Sequence, residues 1–209
     1  MTDRNHMLER AIALDGDPDA IREFYSDWGK TYDTDLLEAF GYVGPAVAAE
    51  ALTKRVGDTA LVLDAGSGTG LVGIELFKRK NDLTIDGIDL TPEMLTHSRK
   101  KGVYRKLNIA DMCGPLHEIN DDIYDGTVSA GVFTNGHVGP QGLDELIRVT
   151  KSGGPVVITV RDSAWEADGF KDYIGDLEAD EKVKVLEITL SPYHTKEGVT
   201  CQLVVLEVV

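Results

Sequence analysis

Cysteine is scarce: Cys113 and Cys201 are the only two in 209 residues, far apart and without CxxC spacing. That excludes a disulfide framework and offers no thiolate pair for zinc, so two reduced thiols and no metal are expected. No apolar run approaches the ~20 residues that a membrane-crossing helix needs. The opening Met1-Thr2-Asp3-Arg4-Asn5-His6 has no apolar signal-peptide core. These absences predict a reducing, cytoplasmic setting. Basic residues are also in short supply. Lys and Arg number 21 against 36 Asp and Glu, a formal net charge of −15. Such a field repels phosphate backbones and anionic headgroups, so neither nucleic acid nor a membrane surface is expected as a partner.

What is present suits one globular domain with a single large core. Its organising stretch is Leu61-Val62-Leu63-Asp64-Ala65-Gly66-Ser67-Gly68-Thr69-Gly70. An apolar run ends in an acid, three glycines alternate, and a helical pattern follows with Leu71, Val72, Ile74, Leu76 and Phe77. The pattern predicts a buried strand, a tight turn and a helix N-terminus. Glycine has no Cβ to hold a ligand off the backbone, and the free N–H groups of a new helix point at the same spot.

Ahead of that stretch the chain reads as mainly helical. Met7, Leu8, Ala11, Ile12 and Leu14 suggest a helical turn. Asp17-Pro18 marks a helix start, with Ile21, Phe24, Tyr25 and Trp28 at helical spacing and Gly29 as the stop. Further helices are expected over 34–40 and from Gly44-Pro45 to near Gly57. Strands and helices then alternate: strands at 60–63, 83–88, 105–109, 126–130 and 156–160, with helices at 70–80, from Thr91-Pro92 to Gly102, and around Leu143, Leu146 and Ile147. A loop spans 131–140, a helix 163–179, and runs at 183–190 and 199–208 flank Thr195-Lys196-Glu197-Gly198 as a hairpin. The prediction is an α/β fold: a Rossmann-like, doubly wound sheet, mostly parallel, ending in an antiparallel strand. Residues 1–57 form a helical cover and 58–209 the ligand-binding core of one domain. Ligands in such sheets sit at the carboxyl ends of the strands, at the switch point.

Three features fall on that edge. The first is Asp64 through Gly70. The second is Asp89, ending strand 2 about twenty residues past the glycines, the place where an acid meets a ribose diol. The third is Asn108-Ile109-Ala110-Asp111-Met112, where Asp111 would accept from an exocyclic amine and Met112 would touch the ring. Together they describe an adenosine-containing ligand. A dinucleotide needs G-x-G-x-x-G, but here the third glycine comes one position early and Leu71 takes its slot. Asp64 would repel a pyrophosphate and attract an ammonium or sulfonium.

At this point the chain resembles the class I S-adenosylmethionine-dependent methyltransferases. Leu63 to Gly70 is similar to their first motif, and Asp89-Leu90-Thr91-Pro92-Glu93-Met94-Leu95 to their second. Asn108 to Met112 matches the adenine-contacting segment, and Leu146 to Gly154 the helix-turn before their fifth strand. Phe24 to Asp33, Tyr42-Val43-Gly44-Pro45, Leu71-Val72 and Gly102-Val103-Tyr104 resemble, more narrowly, the methyltransferase-like protein 27 group. The resemblance implies a seven-stranded sheet, an N-terminal helical lid, and S-adenosyl-L-methionine as cofactor. It implies binding by Asp64, Gly66, Ser67, Gly68 and Gly70, by Asp89, Leu90 and Met94, by Asp111 and Met112, and by Ala130 and Gly131. It further implies that Tyr25, Trp28 and Tyr32 cover the methionine end, where aromatic faces suit a sulfonium.

His137, in the loop after strand 4, is the one candidate general base, set against an ordinary loop histidine. Acids between Asp162 and Glu181 read as a solvated helix face. The expected activity is methyl transfer by direct displacement to a small molecule or an exposed protein side chain. The competing reading is a cofactor-binding module with a regulatory or assembly role.

Overall fold

The computed structural model describes residues 7, 10, 11, 14 and 17–209. The helical turn expected around Met7 to Leu14 includes Leu8 and Ile12, which lie outside the described residues. Helix α1 (Pro18–Trp28) starts as its cap chemistry requires. Asp17 accepts the Asp19 N–H at 3.0 Å, and Pro18 occupies the first turn, where no N–H is needed. Ile21, Phe24 and Trp28 share the buried face. The helix expected over 34–40 forms as a single α-turn, Tyr32–Thr34, that widens into a π-helix, Asp35–Phe40. Gly41, at φ 65°, ends it. Helix α2 (Gly44–Thr53) stops short of Gly57.

The alternating part forms β1 (Leu61–Ala65), α3 (Leu71–Arg79), β2 (Thr84–Asp89), α4 (Pro92–Lys101), β3 (Tyr104–Ile109) and β4 (Gly126–Phe133). It continues with α5 (Gly142–Val149), β5 (Pro155–Arg161), α6 (Asp162–Ala167), α7 (Phe170–Ala179), β6 (Val183–His194) and β7 (Val199–Val208). The seven strands lie in the order β3-β2-β1-β4-β5-β7-β6. β7 runs antiparallel to both neighbours, β5 and β6, and the remaining pairs are parallel. β1 sits between β2 and β4, so the winding reverses there and a crevice opens above its carboxyl end.

Helices on both faces explain the unbroken apolar strands. Leu63, Ile88 and Ile158 point to one face, packed with Leu143, Leu146 and Phe170. Val62, Ile85, Val128 and Val157 point to the other, packed with Leu52 and Leu76. A strand buried on both sides has no polar face to alternate with.

Two expectations change. β4 runs on to Phe133 where a loop from Gly131 was predicted. Gly131 adopts φ 87°, and pairing with β5 slips between Ser129 and Phe133. This bulge seats Val132 against Gly66, where a Cβ would come within 2.1 Å of it. The helix predicted for 163–179 breaks in two at Gly169, which adopts φ 73°.

Tyr104 shows why glycine recurs near the crevice. Its ring lies in a slot beside Gly70, Gly73 and Gly87; a Cβ at these positions would come within 3.2, 2.4 and 3.0 Å of it. Alanine normally stabilises a helix interior over glycine by ~1 kcal/mol. Here Gly73→Ala is expected to destabilise by about 1–3 kcal/mol, because the extra methyl overpacks the slot. Urea unfolding checks the sign, and an unchanged or raised midpoint would contradict this packing.

Candidate functional site

The turn after β1 is built on left-handed glycines. Gly66, Gly68 and Gly70 adopt φ 73°, 52° and 92°, which side chains with a Cβ rarely take. The carbonyl of Ile88 accepts both the Gly66 and Ser67 N–H groups, each at 2.8 Å. Asp89 completes the frame: Oδ2 accepts the Gly68 N–H and Oδ1 the Thr91 N–H, both at 2.8 Å. The turn, the end of β2 and the start of α4 are thereby held by one carboxylate. Burial raises its pKa above the ordinary value, and the two backbone bonds oppose that shift.

Above this frame opens a cleft. It gathers Tyr25, Tyr32, Gly66, Gly68, Asp89, Leu90, Met94, Asp111, Met112, Ala130, Gly131 and His137 from the sequence-predicted set. Nothing lies within 4 Å of where a Gly68 Cβ would stand, so its backbone is open to the cleft. Asp111 accepts the Cys113 N–H through Oδ1 at 2.8 Å. Asp64, Ser67 and Gly70 lie beneath the turn and do not line the cleft. Asp64 is fully buried, and Gly70 faces Ser98 and Tyr104. Trp28 stands behind it, donating its indole N–H to Asp35 at 3.0 Å. Sequence reasoning did not find Pro18, Ile21, Thr91, Ala110, Cys113, Val132 or Val138 as lining residues. Thr91 and Ala110 adjoin named motifs and were legible by proximity; Val132 arrives through the β4 bulge, which leaves no signal in sequence.

His137 is paired within the site. Its Nδ1 lies 3.1 Å from the Asn135 carbonyl, which can only accept, so Nδ1 carries the proton. Nε2 therefore accepts the Tyr25 hydroxyl at 2.9 Å. Burial lowers the histidine pKa, which keeps the ring neutral at pH 7. Burial raises the Tyr25 pKa well above its usual value.

The class follows from this geometry: a doubly wound sheet with a glycine turn at its switch point and an acid ending β2 binds an adenosine-bearing cofactor. Residues 62–154 match the family described as "Methyltransferase domain". The chain is 32% identical over 157 residues to human methyltransferase-like protein 27, covering 73% of this chain and 63% of that protein. It is 36% identical over 147 residues to demethylmenaquinone methyltransferase of Deinococcus radiodurans, covering 66% and 59%. It thus spans about three fifths of the length of these curated relatives. The solved cyclase SpnF superimposes with a TM-score of 0.67 over 94% of this chain and 98% of its own, at 12% identity, a likeness of fold. In sequence over residues 62–154, and in fold, the chain is similar to the class I S-adenosylmethionine-dependent methyltransferases, whose cofactor is S-adenosyl-L-methionine. The cleft suits that cofactor: a carboxylate for a diol, a Cβ-free backbone at Gly68, and apolar walls from Leu90, Ala110 and Met112.

Asp64 has a cost that can be measured. Its Oδ2 accepts the Tyr104 hydroxyl at 2.6 Å, while the buried Oδ1 has no partner. Burial pushes its pKa up to about 7, against the pull of the Tyr104 bond, with Asp89 adding repulsion. An unfolded aspartate titrates near ~3.9. Between these values the folded chain holds a proton that the unfolded chain has lost, so this group's contribution to stability falls as pH rises from about 4 to 7. Asp64→Asn never ionises. Its stability relative to wild type is expected to rise with pH across that window, by up to a few kcal/mol. Urea unfolding of both proteins at several pH values measures the difference; a flat or falling difference would refute the shift.

Proposed function

We propose that this chain is an S-adenosylmethionine-dependent methyltransferase acting by direct displacement on a small-molecule acceptor. The observation that carries the reading is Asp89, anchored to Gly68 and Thr91 at the mouth of the cleft. Two N–H groups fix the carboxylate, and each oxygen keeps a lone pair for a hydroxyl of a ribose. Asp111 would accept from the adenine amine, with Leu90, Met94 and Met112 as apolar walls. Gly66, Gly68, Ala130 and Gly131 would lie along the methionine part, with Asp64, Ser67 and Gly70 supporting the turn from below. When bound, the cofactor supplies an electrophilic methyl on a sulfonium that leaves as a neutral thioether.

The rest of the work is positioning and exclusion of water. Residues 1–57 would serve as the cover over the 58–209 core. Ser26 donates to Glu93 at 2.7 Å and Lys101 pairs with Asp33 at 2.6 Å, which ties that cover to the core. Tyr25 and Tyr32 present rings to the cleft, and Trp28 backs Tyr32 at a centroid distance of 4.9 Å. For an acceptor that carries a proton, the Tyr25 oxygen is placed to take it while its own proton passes to Nε2 of His137. The small-molecule preference draws support from the Deinococcus radiodurans relative, named for a small substrate. The unpaired thiols suit a cytoplasmic setting.

A second reading, a cofactor-binding module with little catalysis, is favoured by one observation: both ring nitrogens of His137 are engaged, leaving no free base in the cleft. Calorimetry and transfer assays separate the two. S-adenosylhomocysteine is expected to bind and NADH not to bind. Asp89→Ala is expected to weaken binding by roughly tenfold or more, the loss of a charged hydrogen bond. Labelled methyl is expected in the small-molecule fraction of a cell extract, and Gly68→Arg should abolish its transfer. Tight binding without transfer to any fraction would favour the module. No binding of either cofactor form would refute both readings.

A further inference from the structure

A second hollow lies beside the first and shares four walls with it: Tyr25, Tyr32, Gly131 and His137. Its remaining lining includes Trp28, Tyr42, Tyr193, His194, Thr134 and Arg161. The lining is aromatic on several sides, with ring pairs such as Tyr42–Tyr193 at 4.9 Å. Flat, apolar walls of this kind favour a planar guest.

Arg161 ends β5 at this hollow, half-buried, and makes no ion pair or hydrogen bond among the described residues. The other half-buried arginines behave differently. Arg22 pairs with Asp19 at 3.1 Å, and Arg148 pairs with Asp121 at 2.6 Å and Glu145 at 2.7 Å. The adjacent carboxylate, Asp162, is turned away to the Thr200 hydroxyl and the Gln202 amide. A guanidinium with no partner among the described residues is an exception in a chain of net charge −15. A planar fork of N–H donors matches a carboxylate in bidentate fashion.

Two lining residues carry polar atoms that are sealed off rather than open to the hollow, with no hydrogen-bond partner among the described residues. The Thr134 hydroxyl oxygen and Nδ1 of His194 are buried without a hydrogen bond. Nδ1 lies 3.5 Å from the Glu197 carboxylate in poor hydrogen-bond geometry, and burial pulls the histidine pKa down to about 4, so this contact is not an ion pair at neutral pH. His137 is likewise held neutral, and the tyrosines are held protonated by burial, Tyr193 at about 12. Arg161 is therefore the only formal charge among the described residues lining the hollow. A guanidinium that faces an aromatic hollow with no partner among the described residues points to an anionic guest that pairs with it.

We propose that this hollow is the acceptor subsite and takes a small planar organic acid, its carboxylate held by Arg161 and its other end at the wall formed by Tyr25 and Gly131. This rests on the methyltransferase reading above. That reading puts the cofactor in the first cleft, and the shared wall is where the two guests would meet.

The probe pair is 4-hydroxybenzoate and its neutral counterpart 4-hydroxybenzamide, titrated by calorimetry into the full chain saturated with S-adenosylhomocysteine. Wild type is expected to bind the acid at least tenfold more tightly than the amide. Arg161→Gln should erase that preference, and Arg161→Lys should keep part of it. Both variants should bind S-adenosylhomocysteine as wild type does, which also reports that they fold. Equal binding of acid and amide, binding of neither, or a preference surviving in Arg161→Gln would overturn the proposal. So would a loss of S-adenosylhomocysteine affinity in Arg161→Gln, which would place Arg161 on the cofactor. Failure of wild type to bind S-adenosylhomocysteine at all would instead refute the underlying reading, before either probe is added.

Discussion

The Asp89 carboxylate is the contact on which the rest of the site depends. It accepts from Gly68 on one oxygen and from Thr91 on the other. Through it, a loop after β1 and a helix start after β2 become one rigid frame. Three left-handed glycines at alternate positions would otherwise be among the most mobile backbone in the chain, since glycine loses the most freedom on ordering. The Ile88 carbonyl, accepting from Gly66 and Ser67, adds two more ties to the same strand end. A turn held this way presents bare backbone without being soft.

Beneath the frame, the molecule spends stability on polarity. Asp64 is buried with one oxygen unpartnered, and Ser67 has a buried hydroxyl with none. Tyr104 bridges the two layers, donating to Asp64 and accepting the Gly73 N–H at 3.1 Å. Groups of this kind cost free energy in a core that could have been apolar, and they concentrate where a protein has a function to serve. The surface is organised differently. The acids of α7 at Asp172, Asp176 and Glu178 face solvent, as a charged helix face should, while Asp162 is recruited to hold β7. The acidic exterior and the nearly neutral aromatic interior of the second hollow therefore carry separate tasks.

The N-terminal helices that line the cleft are held by a contact far away in sequence. The tip of the β6–β7 hairpin grips the end of the π-helix: Thr195 donates its N–H to Gly41 at 3.1 Å, and Lys196 donates its N–H to Phe40 at 3.1 Å. Val43 donates to the Tyr193 carbonyl at 2.9 Å. This clamp brings Tyr42, Tyr193 and His194 into one aromatic group, with Tyr42 beside Gly131. The shared fold with a cyclase is a reminder that the scaffold leaves chemistry to such local groups.

Much of this was legible in the chain itself. The glycine spacing, the acid after strand 2 and the alternation of strands with helices are local or periodic signals. A turn, a cap and a buried parallel strand each leave their mark on neighbouring residues. That is why β1, β2, α3, α4 and most of the first cleft were readable. Only tertiary structure decided the rest. Tyr193, His194 and Arg161 were not among the predicted site residues, and the sequence left His137 open between a general base and an ordinary loop histidine, because the residues that surround each of them lie on other elements. The β4 bulge, the break at Gly169 and the widening at Asp35–Phe40 follow from packing rather than propensity. The sequence by itself determined the glycine turn after β1 and the acid that ends β2, because a strand-turn-helix is a local problem. The second hollow was decided by long-range packing, because it is assembled from the N-terminal helices, β4, β5 and the closing hairpin.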